Sequence, residues 1–149
     1  MKLSSLLGSH LKDPAIVEIL EHYEADVVYD FDRLVEGQPD VYWAACRPGG
    51  FLLKFDEDQV LTTVFLYVRG DDEYSPCSPV DCFGVQGFDS VEDAGFFAKK
   101  KGLDAVSRHL GPNGPKWIRI DMGDYSAHYE FGDAGLDMVT LMLARAVPR

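Results

Sequence analysis

Residues 41–68 read VYWAACRPGGFLLKFDEDQVLTTVFLYV, and this stretch decides the fold class. Apolar and β-branched side chains fill Val41–Cys46 and Val60–Val68, and Phe51–Phe55 alternates in the manner of a half-buried strand. A Pro-Gly-Gly turn separates the first two runs along the chain, and the acidic turn Asp56–Asp58 separates the last two. Three strands joined by tight turns predict an antiparallel meander.

Helices are predicted before and after this meander. The pair Asp13-Pro14 offers an N-cap and a proline for the first helical turn, and an apolar stripe at helical spacing follows as far as Tyr23. Ser90, with an aspartate three residues on, resembles a capping box that starts a second helix. Glycines weaken this second helix, which we expect to resume over Leu103–Leu110. Whether residues 87–101 are helix or loop stays open.

The C-terminal part predicts a second meander. Its strands are expected from Trp117 to Ile120, Tyr125 to Phe131 and Leu136 to Leu143, with glycine-containing turns between them. The predicted fold is therefore α+β, with antiparallel meanders alternating with helices in the order α-βββ-α-βββ. We expect a single layer of sheet packed by helices in one domain, residues 1–149, with no internal repeat of fixed period.

Negative charge is the strongest compositional signal. The chain carries a net charge of -11, and the interval 13–93 holds nineteen acidic residues against four basic ones. Such a field repels nucleic acid and anionic membranes and speeds encounter with a basic partner. We therefore expect neither nucleic acid nor membrane as a partner. The first eight residues make a poor secretory signal, which predicts a cytoplasmic location.

Motifs of catalysis or ligand binding are not recognised in the sequence. The four histidines have no metal-ligand spacing, three cysteines do not form a disulfide framework, and no nucleophile or phosphate-loop motif occurs. The acidic turns lack the loop pattern that calcium requires. The sequence thus predicts a protein that is not an enzyme and that uses no metal and no cofactor.

The residues predicted to bind a partner are acidic side chains in turns and one aromatic residue. An acidic turn is most often a plain solvated turn, and the two clearest ones flank a single strand, so they need not form one patch. An aromatic residue beside an acidic turn and before prolines is the best candidate for an exposed anchor. These predicted partner-binding residues are Asp30, Asp32, Asp56, Glu57, Asp58, Asp71, Asp72, Glu73 and Tyr74.

Several segments together resemble a group of small bacterial immunity-type proteins, which are encoded with polymorphic toxins or type VI secretion effectors. The segments are Leu6-Leu7-Gly8 to Asp13-Pro14 with Ile16–Leu20, Gly50–Phe55, Leu61–Tyr67, Leu110-Gly111-Pro112, and Tyr125–Tyr129 with Val139–Met142. The chain departs from that group in the longer stretch Gly87–Lys101.

The resemblance implies an antitoxin that binds a cognate toxin or effector and occludes its active site. A nuclease is the first expectation for the toxin, because a basic substrate cleft would attract an acidic inhibitor. The alternative is an acidic secretion chaperone that holds an effector segment as a dimer. The identity of the toxin, the interface and the oligomeric state stay open.

Overall fold

A computed structural model describes residues 2–30, 39–79, 83–109 and 116–144 of the chain. It confirms the α+β class, because helices pack against a single antiparallel sheet of eight strands. No helix within the described ranges is long and apolar enough to cross a membrane.

The described α-helices and strands fall into two halves of one helix and four strands each, and two short 3-10 helices, Leu3–Leu6 and Arg47–Gly49, lie in the first half. The first half contains helix α1 (Pro14–His22) and strands β1 (Val27–Asp30), β2 (Val41–Cys46), β3 (Phe51–Phe55) and β4 (Leu61–Tyr67). The second half contains helix α2 (Val91–Lys101) and strands β5 (Ala105–His109), β6 (Lys116–Asp121), β7 (Tyr125–Gly132) and β8 (Gly135–Leu143). The order is therefore α-ββββ-α-ββββ, with one strand more in each half than the sequence predicts.

The sheet has the strand order β1-β2-β3-β4-β8-β7-β6-β5. The last strand of each half meets the other in the middle, and the first strand of each half lies at an edge. In both halves the strands follow one another in chain order from an edge to the middle of the sheet, although the sequence shows no repeat. This arrangement places the strongest apolar strands, β4 and β8, side by side at the centre, where both edges of each strand are paired.

The predicted continuation of the second helix over Leu103–Leu110 is wrong for the described residues of that range. Helix α2 ends at Lys101, and Gly102 adopts the left-handed conformation (φ 68°) that favours glycine after a helix. Ala105–His109 then form strand β5, paired with β6. For Ala105–His109, pairing with β6 therefore outweighs the local preference for helix.

The two helix starts differ in how they are capped. The Ser90 Oγ accepts a hydrogen bond from the Asp93 amide at 3.1 Å, so the predicted N-cap of α2 is confirmed. Asp13 is also at an N-cap position, but its carboxylate accepts from the His10 amide at 2.9 Å and makes no cap bond to α1. Asp13 thus closes the turn before α1, while Pro14 occupies the first helical position.

Both helices pack on the same face of the sheet, here called the covered face. One row of directly paired residues crosses it from β2 to β6: Cys46, Phe51, Leu66, Val139, Tyr129 and Ile118. On the α1 side the ring of Tyr23 lies 5.1 Å from that of Phe51, and on the α2 side Gly95 faces Ile118. The core of the protein is therefore built between this face and the helices.

Residues 70–77, here called the strap, run back across the β3–β4 end of the sheet. The Ser75 amide donates to the Arg47 carbonyl at 3.0 Å, and the Cys77 amide donates to the Tyr67 carbonyl at 3.0 Å. Gly50 lies under the strap with φ 75°. The strap is thus held to the sheet by backbone hydrogen bonds.

Candidate functional site

The opposite face of the sheet carries no helix among the described residues, and we call it the open face. Alternation along each strand and the pairing registers place its side chains in three rows. The first row is Val28, Trp43, Lys54, Thr63, Met142, Ser126 and Asp121. The second is Ala45, Leu52, Phe65, Thr140, His128, Arg119 and Val106, and the third is Tyr67, Met138, Glu130, Trp117 and Arg108.

Aromatic side chains cluster in two places on the open face. The rings of Trp43 and Phe65 lie 6.3 Å apart, and the Lys54 Nζ is 5.4 Å from the centre of the Trp43 ring, within the range of a cation–π contact. Across the sheet, the Trp117 ring lies 5.0 Å from that of His128. These contacts hold the large side chains of the open face in fixed positions while leaving them partly exposed.

Exposed valines mark both edges of the open face. Val28 on β1 is 58% exposed and Val106 on β5 is 55% exposed. The partly exposed aromatic clusters lie between these two valines, interspersed with polar and charged side chains such as Lys54, Thr140 and Arg119. Exposed apolar side chains gathered on one face of a sheet are a feature of many binding surfaces.

The charge of the open face differs from that of the whole chain. Its rows carry Lys54, Arg108 and Arg119 against Asp121 and Glu130, although the chain as a whole has a net charge of -11. The negative charge is therefore concentrated away from this face.

His128 lies in the middle of the open face, half-buried between β6 and β8. Burial lowers the pKa of His128, the nearby Glu130 raises it and Arg119 lowers it. Burial and Arg119 outweigh Glu130, so the pKa of His128 lies below its ordinary value and the neutral imidazole is favoured.

The predicted acidic residues lie at the two ends of the sheet. Asp30 pairs with Val41, and Asp56–Asp58 follow β3 at that same end, so these acids border one end of the sheet. Asp71–Glu73 follow β4 at the opposite end, in the strap. The structure thus does not bring the two predicted turns together. They lie beyond opposite ends of the paired strands β3 and β4, and we call them the acidic rim.

Two of these acids hold the turns in which they lie. The Asp56 Oδ1 accepts hydrogen bonds from the amides of Asp58 and Val60 at 2.9 and 3.0 Å. The Asp71 Oδ1 likewise accepts from the amides of Glu73 and Tyr74, both at 2.8 Å. Asp56 and Asp71 therefore fix local backbone structure.

The remaining acids of these turns extend into solvent. Four carboxylates of these turns are exposed and accept no hydrogen bond and form no salt bridge among the described residues: Glu57, Asp58, Asp72 and Glu73. These four residues are the acidic side chains of the rim that are most accessible to a partner.

Tyr74 is buried, so the expectation that it forms an exposed anchor is wrong. The residue is only 8% exposed, and its ring stacks on that of Tyr67 with 4.2 Å between centroids. Burial raises the pKa of both tyrosines. The aromatic character that made Tyr74 a candidate serves instead to fix the strap to the end of the open face. Asp32 lies outside the described residues.

Two cavities open on the open face. The first, of about 540 Å³, lies on the β1–β3 side and is lined by Trp43, Leu52 and Val28 together with charged residues and Tyr74 of the strap. The second, of about 470 Å³, lies at the β5–β7 side, where Asp104, Arg119, Asp121 and Ser126 form much of its wall.

Within the described ranges no group of three or more His, Cys, Asp or Glu side chains has the arrangement of a metal site. Cys46 and Cys77 are both buried, and burial raises the pKa of the Cys46 thiol to about 12.

The open face was not among the sequence predictions. A signal for it was the alternation in Phe51–Phe55, which places Leu52 and Lys54 on the face opposite the three core residues. That signal gives the direction of each side chain relative to its own strand. It does not show which residues of distant strands become neighbours.

Comparison with known proteins gives no match: no protein-family model fits the chain, and no curated protein and no solved structure is significantly similar to it. The resemblance to immunity-type proteins therefore stays a prediction.

Proposed function

We propose that this protein is an inhibitor that binds a cognate bacterial toxin or effector protein and occludes its active site. The observation that carries the proposal is the open face, an eight-stranded surface with two partly exposed aromatic clusters, exposed valines at both edges and an acidic rim. Protein–protein interfaces have this anatomy, with apolar and aromatic side chains at the centre and polar groups around them.

The rim defines the chemistry of the partner. Glu57, Asp58, Asp72 and Glu73 are exposed carboxylates at the two ends of the sheet. A partner with basic residues around an apolar patch would be attracted at long range and would then bury the aromatic clusters. The substrate cleft of a nuclease has this charge, so we propose a nuclease as the target and the cytoplasm of the producing cell as the place of action.

Growth rescue tests the proposal. The chain is co-expressed with the toxin encoded beside it, and survival is measured for three single variants. These are Trp43→Ala, Val28→Gln and, as the matched control for Val28→Gln, Val17→Gln. Val28 and Val17 are both exposed valines, 58% and 38%, but Val28 is on the open face and Val17 is on helix α1. Trp43→Ala should weaken toxin binding at least about thirtyfold, as loss of an interface hot spot does. Val28→Gln should reduce protection, and Val17→Gln should not.

A second set of variants tests the rim. Reversal of Asp72 and Glu73 to lysine should slow association and reduce its salt dependence. Asp71 is left intact because its carboxylate holds the turn. If the toxin is neutralised equally by wild type, Trp43→Ala and Val28→Gln at matched low abundance, the open face is not the interface.

One observation favours the alternative, a secretion chaperone that works as a dimer. Edge strand β1 exposes Val27 and Val28, and an exposed apolar edge can pair with a second copy. Light scattering with size-exclusion chromatography at micromolar concentration separates the two functions. A monomer supports the inhibitor, and a stable dimer that Val28→Gln disrupts supports the chaperone.

A further inference from the structure

The cavity at the β5–β7 side of the open face contains ionic groups that make no salt bridge within the described structure. Asp104, Arg119 and Asp121 all line it, and the salt bridge that the described residues form, Arg69 to Asp137, lies elsewhere. Asp104 and Asp121 are neighbours, because the Asp121 amide donates to the Asp104 carbonyl at 2.9 Å across β5 and β6. Two carboxylates and one guanidinium give the wall a net negative charge, which favours a cationic ligand.

An unsatisfied hydroxyl in the same wall points independently to a ligand. Ser126 lies directly opposite Asp121 in the β6–β7 register and lines the cavity. It is 5% exposed, and its Oγ is buried without a hydrogen-bond partner among the described residues. A buried polar atom without a partner is costly, and native structures rarely retain one without a reason.

The donors and acceptors of the wall define the ligand group. Asp104 and Asp121 accept hydrogen bonds, and Ser126 can accept as well. One oxygen of Asp121 already accepts from the Gly123 amide at 2.9 Å, which fixes the orientation of that carboxylate. A guanidinium is planar, stays charged and presents five donors, so it can bond to two carboxylates and a hydroxyl together. Arg119 can then donate to a carbonyl oxygen beside that group.

We infer that this cavity is a binding site for a guanidinium group, and that its occupant is an arginine side chain of the partner protein. The identity of the partner rests on the proposed inhibitor function, whereas the chemistry of the cavity does not. The cavity lies at the edge of the open face, so an arginine at the border of the partner's apolar patch would enter it as the two surfaces meet.

The test uses the isolated chain, ¹⁵N-labelled, and small probes observed by NMR. N-acetyl-L-arginine amide should give saturable shifts of the Ser126, Arg119 and Val106 amides. N-acetyl-L-citrulline amide has the same shape without the charge and should give none. Asp121→Asn retains the acceptor for the turn and should weaken binding about tenfold, which corresponds to roughly 1.4 kcal/mol. Asp133→Asn, an exposed acid at the opposite end of β7, is the matched control and should bind as wild type does.

Ser126→Ala separates a binding role from a packing role. Removal of an unsatisfied hydroxyl should raise the melting temperature of the free chain by about 2–4 °C, while probe binding weakens roughly fivefold. Loss of both stability and binding would indicate that Ser126 only packs, and that binding weakens because the wall of the cavity is distorted.

Equal shifts from the arginine and citrulline probes, or none from arginine, would overturn the guanidinium site. Tighter binding of free L-arginine than of the amide would identify a free amino acid as the ligand and overturn the partner side chain as occupant. Growth rescue does not depend on these probes, so a failed NMR test leaves the inhibitor proposal to be judged separately.

Discussion

Gly50→Ala should destabilise the protein far more than Gly102→Ala, although the two glycines have nearly the same backbone conformation. Gly50 has φ 75° and ψ 30°, and Gly102 has φ 68° and ψ 29°. A left-handed conformation costs a non-glycine residue about 1–2 kcal/mol, and this cost is common to both variants. The comparison therefore isolates what surrounds each position.

The surroundings of the two glycines differ in one respect, the strap. A Cβ on Gly50 would overlap the Ser75 carbonyl oxygen and lie 2.8 Å from the Cys77 Cβ, whereas a Cβ on Gly102 would meet nothing within 4 Å. The strap cannot shift without straining its bonds to Arg47 and Tyr67, so overpacking should add about 1–3 kcal/mol at Gly50. The total is about 1–2 kcal/mol for Gly102→Ala and about 2–5 kcal/mol for Gly50→Ala.

Urea unfolding of both variants measures this difference as a change in midpoint at constant slope. In thermal unfolding, the additional loss at Gly50 should lower the melting temperature by about 2–12 °C beyond that of Gly102→Ala. Equal losses in the two variants would refute the reasoning, since they would mean that the strap moves away at no cost.

Three further predictions concern single side chains. Ser90→Ala should destabilise the protein by about 1 kcal/mol in urea unfolding, because α2 loses its N-cap; an unchanged midpoint would contradict the cap. Since the pKa of His128 is lowered in the folded state, the unfolded chain takes up its proton first as pH falls below about 6.5, and wild type should lose more stability there than His128→Gln. Urea unfolding at pH 7.5 and 5.5 measures this, and identical losses in both proteins would exclude His128 as a contributor. In a Cys82→Ser background, the buried thiols of Cys46 and Cys77 should react with a disulfide reagent only after unfolding; rapid reaction of the native protein would show that the core opens locally.

The sequence by itself determined the α+β class, most of the strands and the start of α2. Each of these depends on residues close in sequence: the alternation in Phe51–Phe55 fixes which side chains are buried, and the Ser90 hydroxyl reaches an amide three residues away. Strand β5 was not predicted, because Ala105–His109 have no local pattern that opposes helix and become a strand through pairing with β6.

The candidate site was decided by the tertiary structure. Acidic residues were visible in the sequence, but their separation to the two ends of the sheet follows from strand direction and register. Trp43 and Phe65 come close because their strands, β2 and β4, both pair with β3 and place the two rings on the same face. Asp121 lies opposite Ser126 through the β6–β7 register. The open face exists because both helices pack on the other side, and this choice is made when distant segments bury their apolar side chains together, which no local pattern of residues records.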